Sequence, residues 1–367
     1  MNRLQLWKVV SVVLLACAFA GAQTITTFSA PGGGTGYDQG TGGFDINPQG
    51  TVVGSLHDDN NVFHGFQCVS GCAPGTFTEY NAPGAGSGAN QGTITFSNNL
   101  FGETVGYYLD ANTVAHGFAT AYPFRNFVNL NVPGAGSGAN QGTFAGNVNL
   151  GGEIAGYYVD ANNVAHGFVT YPPYRSYTSF DPPGSVNTLT AVATSLSLEG
   201  AVAGTYFDAQ GVAHGYVRDA HGNITEFDVQ GAGKGSGQGT ESASISDAGE
   251  ITGNYIDSNG VNHGFVRSSW GAIATFDVEG AGTGANQGTI PEGINLVGLI
   301  TGQYVDANGV NHGFVRSPLG RITTFDVPGA GTGANQGTIP ATPNVFGVIT
   351  GQWIDANNVH YGFLRNP

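Results

Sequence analysis

Charge is scarce in this sequence, and basic charge is scarcest. Only 10% of the 367 residues are charged, and 10 basic residues face 25 acidic ones, for a formal net charge of −15. Lys8 and Lys234 are the only lysines. A surface of that sign repels nucleic acid and anionic lipid, so neither is an expected partner. No apolar run after residue 22 is long enough to span a membrane. Cysteine is limited to Cys17, Cys68 and Cys72, and two thiols four apart are too few for a zinc site. Low charge together with 40% hydrophobic residues excludes a typical disordered chain.

Residues 1–22 carry the signal of destination. Arg3 and Lys8 make a basic start, residues 9–20 are apolar, and Ala18-Phe19-Ala20 or Ala20-Gly21-Ala22 offers a small-residue cleavage site. A secretory signal peptide over 1–22 is the expectation. Residues 23–367 then form one secreted domain, periplasmic or extracellular. Lipoprotein anchoring through Cys17 is the alternative. Losing Arg3 and Lys8 takes the charge from −15 to about −17. In an exported chain, Cys68 and Cys72 are expected to form a small disulfide closing one hairpin.

What the sequence has in abundance is glycine, 62 residues of it, set in a repeat. The unit is clearest at residues 306–314, DANGVNHGF. The glycines of HGF fall at Gly65, Gly117, Gly167, Gly215, Gly264, Gly313 and Gly362, at spacings of 52, 50, 48, 49, 49 and 49. A fixed period of this size marks a repeat architecture. Asp306 starts a type I turn and Gly309 supplies a left-handed residue, so ITGQYV and VNHGFVR pair as a hairpin. Equivalent turns begin at Asp110, Asp160, Asp208, Asp257 and Asp355. Asn163 and Asn358 replace the glycine, as asparagine also enters the left-handed region. Thr113 does not fit, so this turn is expected to vary between repeats.

Two further strands complete the unit. One is the ITTF type, centred on Phe28, Tyr80, Leu130, Phe180, Phe227, Phe276 and Phe325. It leads into a glycine-rich loop, PGAGSGANQGT at Pro83 and Pro133 and GAGTGANQGT at Gly280 and Gly329. The other strand ends near Ile-Asn, before a G-x-x-x-G turn. Four short strands in roughly 45–50 residues are the arithmetic of a β-propeller blade. The expected fold is therefore all-β, a seven-bladed β-propeller of four-stranded repeats. The chain opens on the last strand of a blade and stops after the third strand of the seventh. The N-terminal strand is accordingly expected to close the ring.

The segments GFDINPQGTVVGSLHD at Gly43 and INLVGLITGQYVDANGVNHGFVR at Ile294 resemble the bacterial extracellular repeat proteins of the HAF family. The resemblance covers nearly all of the mature chain. It departs in having HGF where the family more often has His-Ala-Phe. It implies an exported, propeller-like repeat protein, and the family brings no established activity.

The repeated polar residues have plain explanations. His64, His116, His166, His214, His263 and His312 lie in different repeats, too far apart to converge within the roughly 2.1 Å of a shared zinc. They read as hydrogen-bonded packing residues. The Asp turns overlap the opening of a calcium loop but lack its full ligand series. GAGTGANQG lacks GK[ST] and opens no helix, so it is no phosphate cradle. Asp181, Asp228, Asp277 and Asp326 are expected to guard an exposed sheet edge. Glu103, Glu153 and Glu250 are expected to pair with Arg218, Arg267, Arg316 and Arg365.

Catalysis should break the repeat. The unrepeated polar residues His57, Asp59, His221, Lys234, Glu241 and Glu292 assemble no nucleophile, base or carboxylate pair by spacing. No catalytic residue, cofactor or metal ligand is expected. The reading is a secreted, monomeric, non-catalytic binding or structural protein. The alternative is an extracellular carbohydrate-active enzyme on the same scaffold. In a meander, the inter-blade loop and the second-to-third-strand turn emerge on one face. That gathers Asn90, Gln91, Asn140, Gln141, Asn286, Gln287, Asn335 and Gln336 into a rim for an extracellular glycan or another surface protein, since amides offer donors and acceptors suited to hydroxyls.

Overall fold

The computed structural model describes residues 23–190 and 195–367. The expected leader and Cys17 lie outside the described residues. Within them the chain is all-β and repetitive: 28 short strands and a single 3-10 turn, Ser70–Cys72. No helix is long and apolar enough to cross a membrane among the described residues.

One repeat shows how the sequence builds the unit. Its four strands are Gly40–Ile46, Val52–His57, Phe63–Cys68 and Phe77–Tyr80, paired antiparallel in that order. First strands lie against first strands of neighbouring repeats, so they are innermost. Adjacent repeats meet where the third strand of one touches the first strand of the next, as at Phe63↔Gly92 and Asn311↔Gly337. The same bridge joins His360 to Gly40. The glycine of each NQG sits at this crossing: Gly288 has φ +114, and a Cβ there would collide with the carbonyl of Asn262. Only glycine tolerates both conditions. The strand Thr24–Phe28 pairs antiparallel with His360–Asn366, Phe28 opposite Gly362, in the place a fourth strand occupies elsewhere.

The core follows from HGF. Phe66, Phe118, Phe168, Phe265, Phe314 and Phe363 are fully buried, as is Tyr216 in the fourth repeat. The HGF glycine lies under a ring of the fourth strand, Gly313 under Phe325, which leaves no room for a Cβ. That ring meets the buried phenylalanine of the next repeat edge-on, Phe325 against Phe363 at 6.0 Å and 68°. Hydrophobic burial is thereby continuous across repeat boundaries.

Three expectations change. Thr113 adopts φ 60 and its N–H donates to Asp110 O at 2.9 Å, so the turn is kept despite threonine. The Asp110 side chain holds it, accepting from the N–H groups of Asn112 and Val114. Among the described residues no arginine forms a close ion pair with Glu103, Glu153 or Glu250, although Arg218 still acts on Glu153 and Glu250 on Arg316 through their charges. Arg267 lies over the Phe227 ring at 4.9 Å and Arg316 over Phe276 at 4.8 Å, each clamping the preceding repeat through a cation–π contact. Asp181, Asp228, Asp277 and Asp326 stay exposed after the fourth strand, but each is also engaged by the histidine of its own repeat. In the first repeat Cys68 stands where later repeats have that arginine. It is buried and disulfide-bonded to Cys72.

Candidate functional site

The glycine-rich loop is tied on both sides. In the sixth repeat Asn286 N donates to Gly260 O in the preceding Asp turn at 2.8 Å. Gln287 Nε2 donates to Ala307 O in its own repeat's Asp turn at 3.2 Å. Gln287 Oε1 accepts from Gly284 N at 2.8 Å. Gln91, Gln141 and Gln336 repeat this pattern. Loops and Asp turns thus alternate along one face. The glutamines are spent on holding the loop in shape.

The asparagines differ. Asn90, Asn140, Asn286 and Asn335 each take φ near +60, and all four are exposed. A fixed backbone presenting an outward amide has the donors and acceptors that recognition loops on rigid scaffolds use. The fourth and fifth repeats interrupt the row. Gly237 takes the asparagine position in the fifth, its N–H donating to Gly211 O. The shorter fourth loop puts Asn187 in place of the crossing glycine, its Oδ1 accepting from Ala165 N at 3.0 Å. Exposed Lys234 sits in the looser fifth loop.

Beneath the rim the Asp turns of the first six repeats are each braced by a histidine. His312 Nδ1 meets Asp326 Oδ1 at 3.0 Å, and its Nε2 lies 3.7 Å from Asp306 Oδ2. Its ring stacks on Tyr304 at 4.8 Å. The pattern recurs with Tyr108, Tyr158, Tyr206 and Tyr255. In the last repeat Trp353 and Tyr361 stack at 4.4 Å instead. Burial opposes ionisation of Asp306, but the N–H groups of Val310 and Asn308, the Asn308 amide and the nearby His312 hold its carboxyl below the usual value. These carboxylates are committed to their own turns. Among the described residues no group of three or more His, Cys, Asp or Glu is placed to share a metal ion.

The unrepeated residues scatter. His221 and Lys234 are exposed, and Asp59 Oδ1 accepts from Thr35 N. Glu241 and Glu292 lie on inner strands of adjacent repeats, Glu241 accepting from Asn254 Nδ2 at 3.1 Å. Burial pushes the Glu292 carboxyl up to about 7. Across the molecule's centre, repeats one to three carry rings in succession, Phe44–Phe96 at 5.8 Å and Tyr107–Phe144 at 4.8 Å. His57 alone joins other unrepeated polar groups. Those partners, Asp38 and His360, replace repeat residues (Asn in GANQG, Asn or Ala before HGF), a signal present in the sequence but visible only once each copy is aligned position by position.

No protein-family model matches the sequence, and no curated protein matches it either. Solved structures are similar in fold. The BP39L lectin from Burkholderia pseudomallei superposes with a TM-score of 0.50 at 11% identity, covering 86% of this chain and 95% of that one. Puromycin hydrolase gives a TM-score of 0.50 at 10% identity, covering 95% of this chain and 54% of that one. This chain therefore spans about half the length of puromycin hydrolase. What is shared at such identity is an all-β, propeller-like fold.

Proposed function

We propose that this chain is a secreted, monomeric, non-catalytic glycan-recognition protein, a seven-bladed propeller of the HAF repeat type closed by its N-terminal strand. The observation that carries the recognition reading is the rim. Asn90, Asn140, Asn286 and Asn335 project exposed amides from loops whose backbone and glutamines are already satisfied. Neutral amides with few basic neighbours suit hydroxyl-rich, uncharged ligands. The lectin of similar fold is a precedent for this scaffold carrying sugar recognition. Closure is supported by the pairing of Thr24–Phe28 with His360–Asn366 and by the His360–Gly40 bridge. Export is supported by the Cys68–Cys72 disulfide, which suits an oxidising compartment.

The test is a glycan array probed with the purified mature protein, followed by product analysis of each bound sugar. Binding without turnover supports the module. Cleavage of a bound glycan moves the case to a carbohydrate-active enzyme.

A further inference from the structure

The seam between the last and first repeats differs from every other seam. At each seam three positions meet: the loop residue that caps the preceding Asp turn, the end of the second strand, and the residue before HGF. Elsewhere they hold, for example, Asn286, Val305 and Asn262, or Asn335, Ile354 and Asn311. At the last-to-first seam they hold Asp38, His57 and His360. The second strand ends in an aliphatic or aromatic residue in the other six repeats, so an imidazole there is a departure from the repeat.

A cavity of about 230 Å3 opens at this place, lined among others by Asp38, Phe44, His57, Phe63, Gln352 and His360. His360 Nε2 lies 3.2 Å from Asp38 Oδ1, and its Nδ1 is 3.1 Å from the Gln352 amide. His57 Nδ1 meets Asp38 O at 2.9 Å and its Nε2 meets Asn61 O at 3.0 Å. The His57 ring is stacked nearly flat on Phe63, 4.0 Å away. Asp38 itself is 72% exposed at the mouth, beside Tyr37, which is 75% exposed. Phe44 and Ile94 add an apolar wall.

We propose that this seam cavity is a single binding site for one neutral, pyranose-sized sugar residue. Its apolar face would lie on Phe44, and its hydroxyls would reach the Asp38 carboxylate and the Gln352 amide. The inference rests on the glycan reading above and shares Asn90 with the rim, since that residue also lines the cavity, but its polar contacts are made by Asp38 and Gln352. Size points to one ring, because the cavity falls below the roughly 300–1,000 Å3 of sites for drug-sized ligands. Charge excludes an anion, since among the described residues lining the cavity the one fixed charge is the Asp38 carboxylate. The imidazoles argue for binding over chemistry. Each ring is wedged between two protein oxygens, of which a neutral imidazole donates to one, so both rings are fixed by the protein and turn no nitrogen toward a ligand. Burial also holds the His360 ring below its ordinary pKa, against the opposing pull of Asp38.

The test titrates the mature protein with glucose, galactose, mannose, fucose and N-acetylglucosamine, with glucosamine as a cationic control. A second titration uses the variant Asp38→Asn, His57→Ile, His360→Asn. Each substitution installs the residue that other repeats hold at that position, so the fold is retained, and a matching melting temperature verifies it. The expected result is binding of at least one neutral sugar at one site per chain, weakened about tenfold or more in the triple variant. Three results would overturn the proposal: no neutral sugar binds, binding survives in the triple variant, or glucosamine alone binds and salt abolishes it. Array binding that persists alongside any of these leaves the rim reading standing. Loss of array binding with intact one-site binding of a neutral sugar refutes the rim alone.

Discussion

Asn344 Nδ2 donates to the backbone carbonyl of Asn47 at 3.2 Å, across 297 residues of sequence. The bond belongs to a series. Asn47 donates to Asn99 O, Asn99 to Asn149 O, Asn149 to Ser197 O, and Asn295 to Asn344 O. Each of these asparagines also caps its own turn, Asn344 Oδ1 accepting from Phe346 N and Val348 N. Where Ser197 lacks the amide, Asp247 reaches back to Leu198 N at 2.7 Å. A second contact crosses the same seam, Thr342 Oγ1 to Asp45 Oδ1 at 2.9 Å.

Asn344→Ala should therefore cost about 1–3 kcal/mol, since it strands two amides and a carbonyl. Asn344→Asp keeps the cap, loses the donor, and should recover only part. Urea denaturation measures both. A loss below about 0.5 kcal/mol for the alanine variant, the level of an ordinary surface change, would show that the seam bond contributes nothing. Deleting residues 23–31 removes the strand paired with His360–Asn366 and should markedly lower the melting temperature or promote aggregation.

Acid should loosen the Asp turns. The carboxyls of Asp58, Asp110, Asp160, Asp208, Asp257 and Asp306 are all held below the usual value of 3.8. A depressed folded pKa gives stability that is present above the unfolded value and lost as pH falls through the folded one. The urea midpoint should thus drop most steeply below about pH 3.8, and less steeply in Asp306→Asn. His312→Ala should also lose stability, by about 1–3 kcal/mol, as Asp326 and Asp306 lose their brace. Equal acid profiles for parent and Asp306→Asn would contradict this role.

Glu292 works in the opposite direction. Its carboxyl is raised by burial from 4.5 to about 7, so folding favours its protonated form. The stability it permits is greatest below pH 4.5 and falls as pH rises toward 7. Glu292→Gln should raise the melting temperature at pH 8 and flatten its slope between those limits. A variant no more stable than the parent at pH 8 would rule this out.

Mass spectrometry of non-reduced, exported protein should find Cys68 and Cys72 bridged and closed to alkylation. Quantitative alkylation of both without reductant would contradict the disulfide.

Much of this was legible in the sequence because the repeat states each rule seven times. HGF told both strand and core, since its glycine and the ring after it, Tyr216 in the fourth copy, are placed the same way throughout. The Asp turn was equally plain, and only Thr113 misled, because the Asp110 carboxylate imposes the left-handed turn regardless of the residue occupying it. Contacts between repeats were not legible. Arg267 over Phe227 and Asn47 bonded to Asn99 join residues 40 or more positions apart. Nothing in local spacing reveals which neighbour a long side chain meets. Asp38 and His360 escaped notice for a related reason: each is an ordinary residue until set against the same position in other repeats.

The most direct measurement is the affinity of an array-identified glycan for the parent and for the variant with Asn90, Asn140, Asn286 and Asn335 all changed to Gly, the residue that Gly237 supplies at this left-handed position in the fifth repeat. These side chains are exposed, and Gln91, Gln141, Gln287 and Gln336 still hold their loops, so the variant should fold. Titration calorimetry should show binding by the parent and a loss of about tenfold or more in the variant, with melting temperatures that differ little. Undiminished affinity in a folded variant would contradict recognition at the rim.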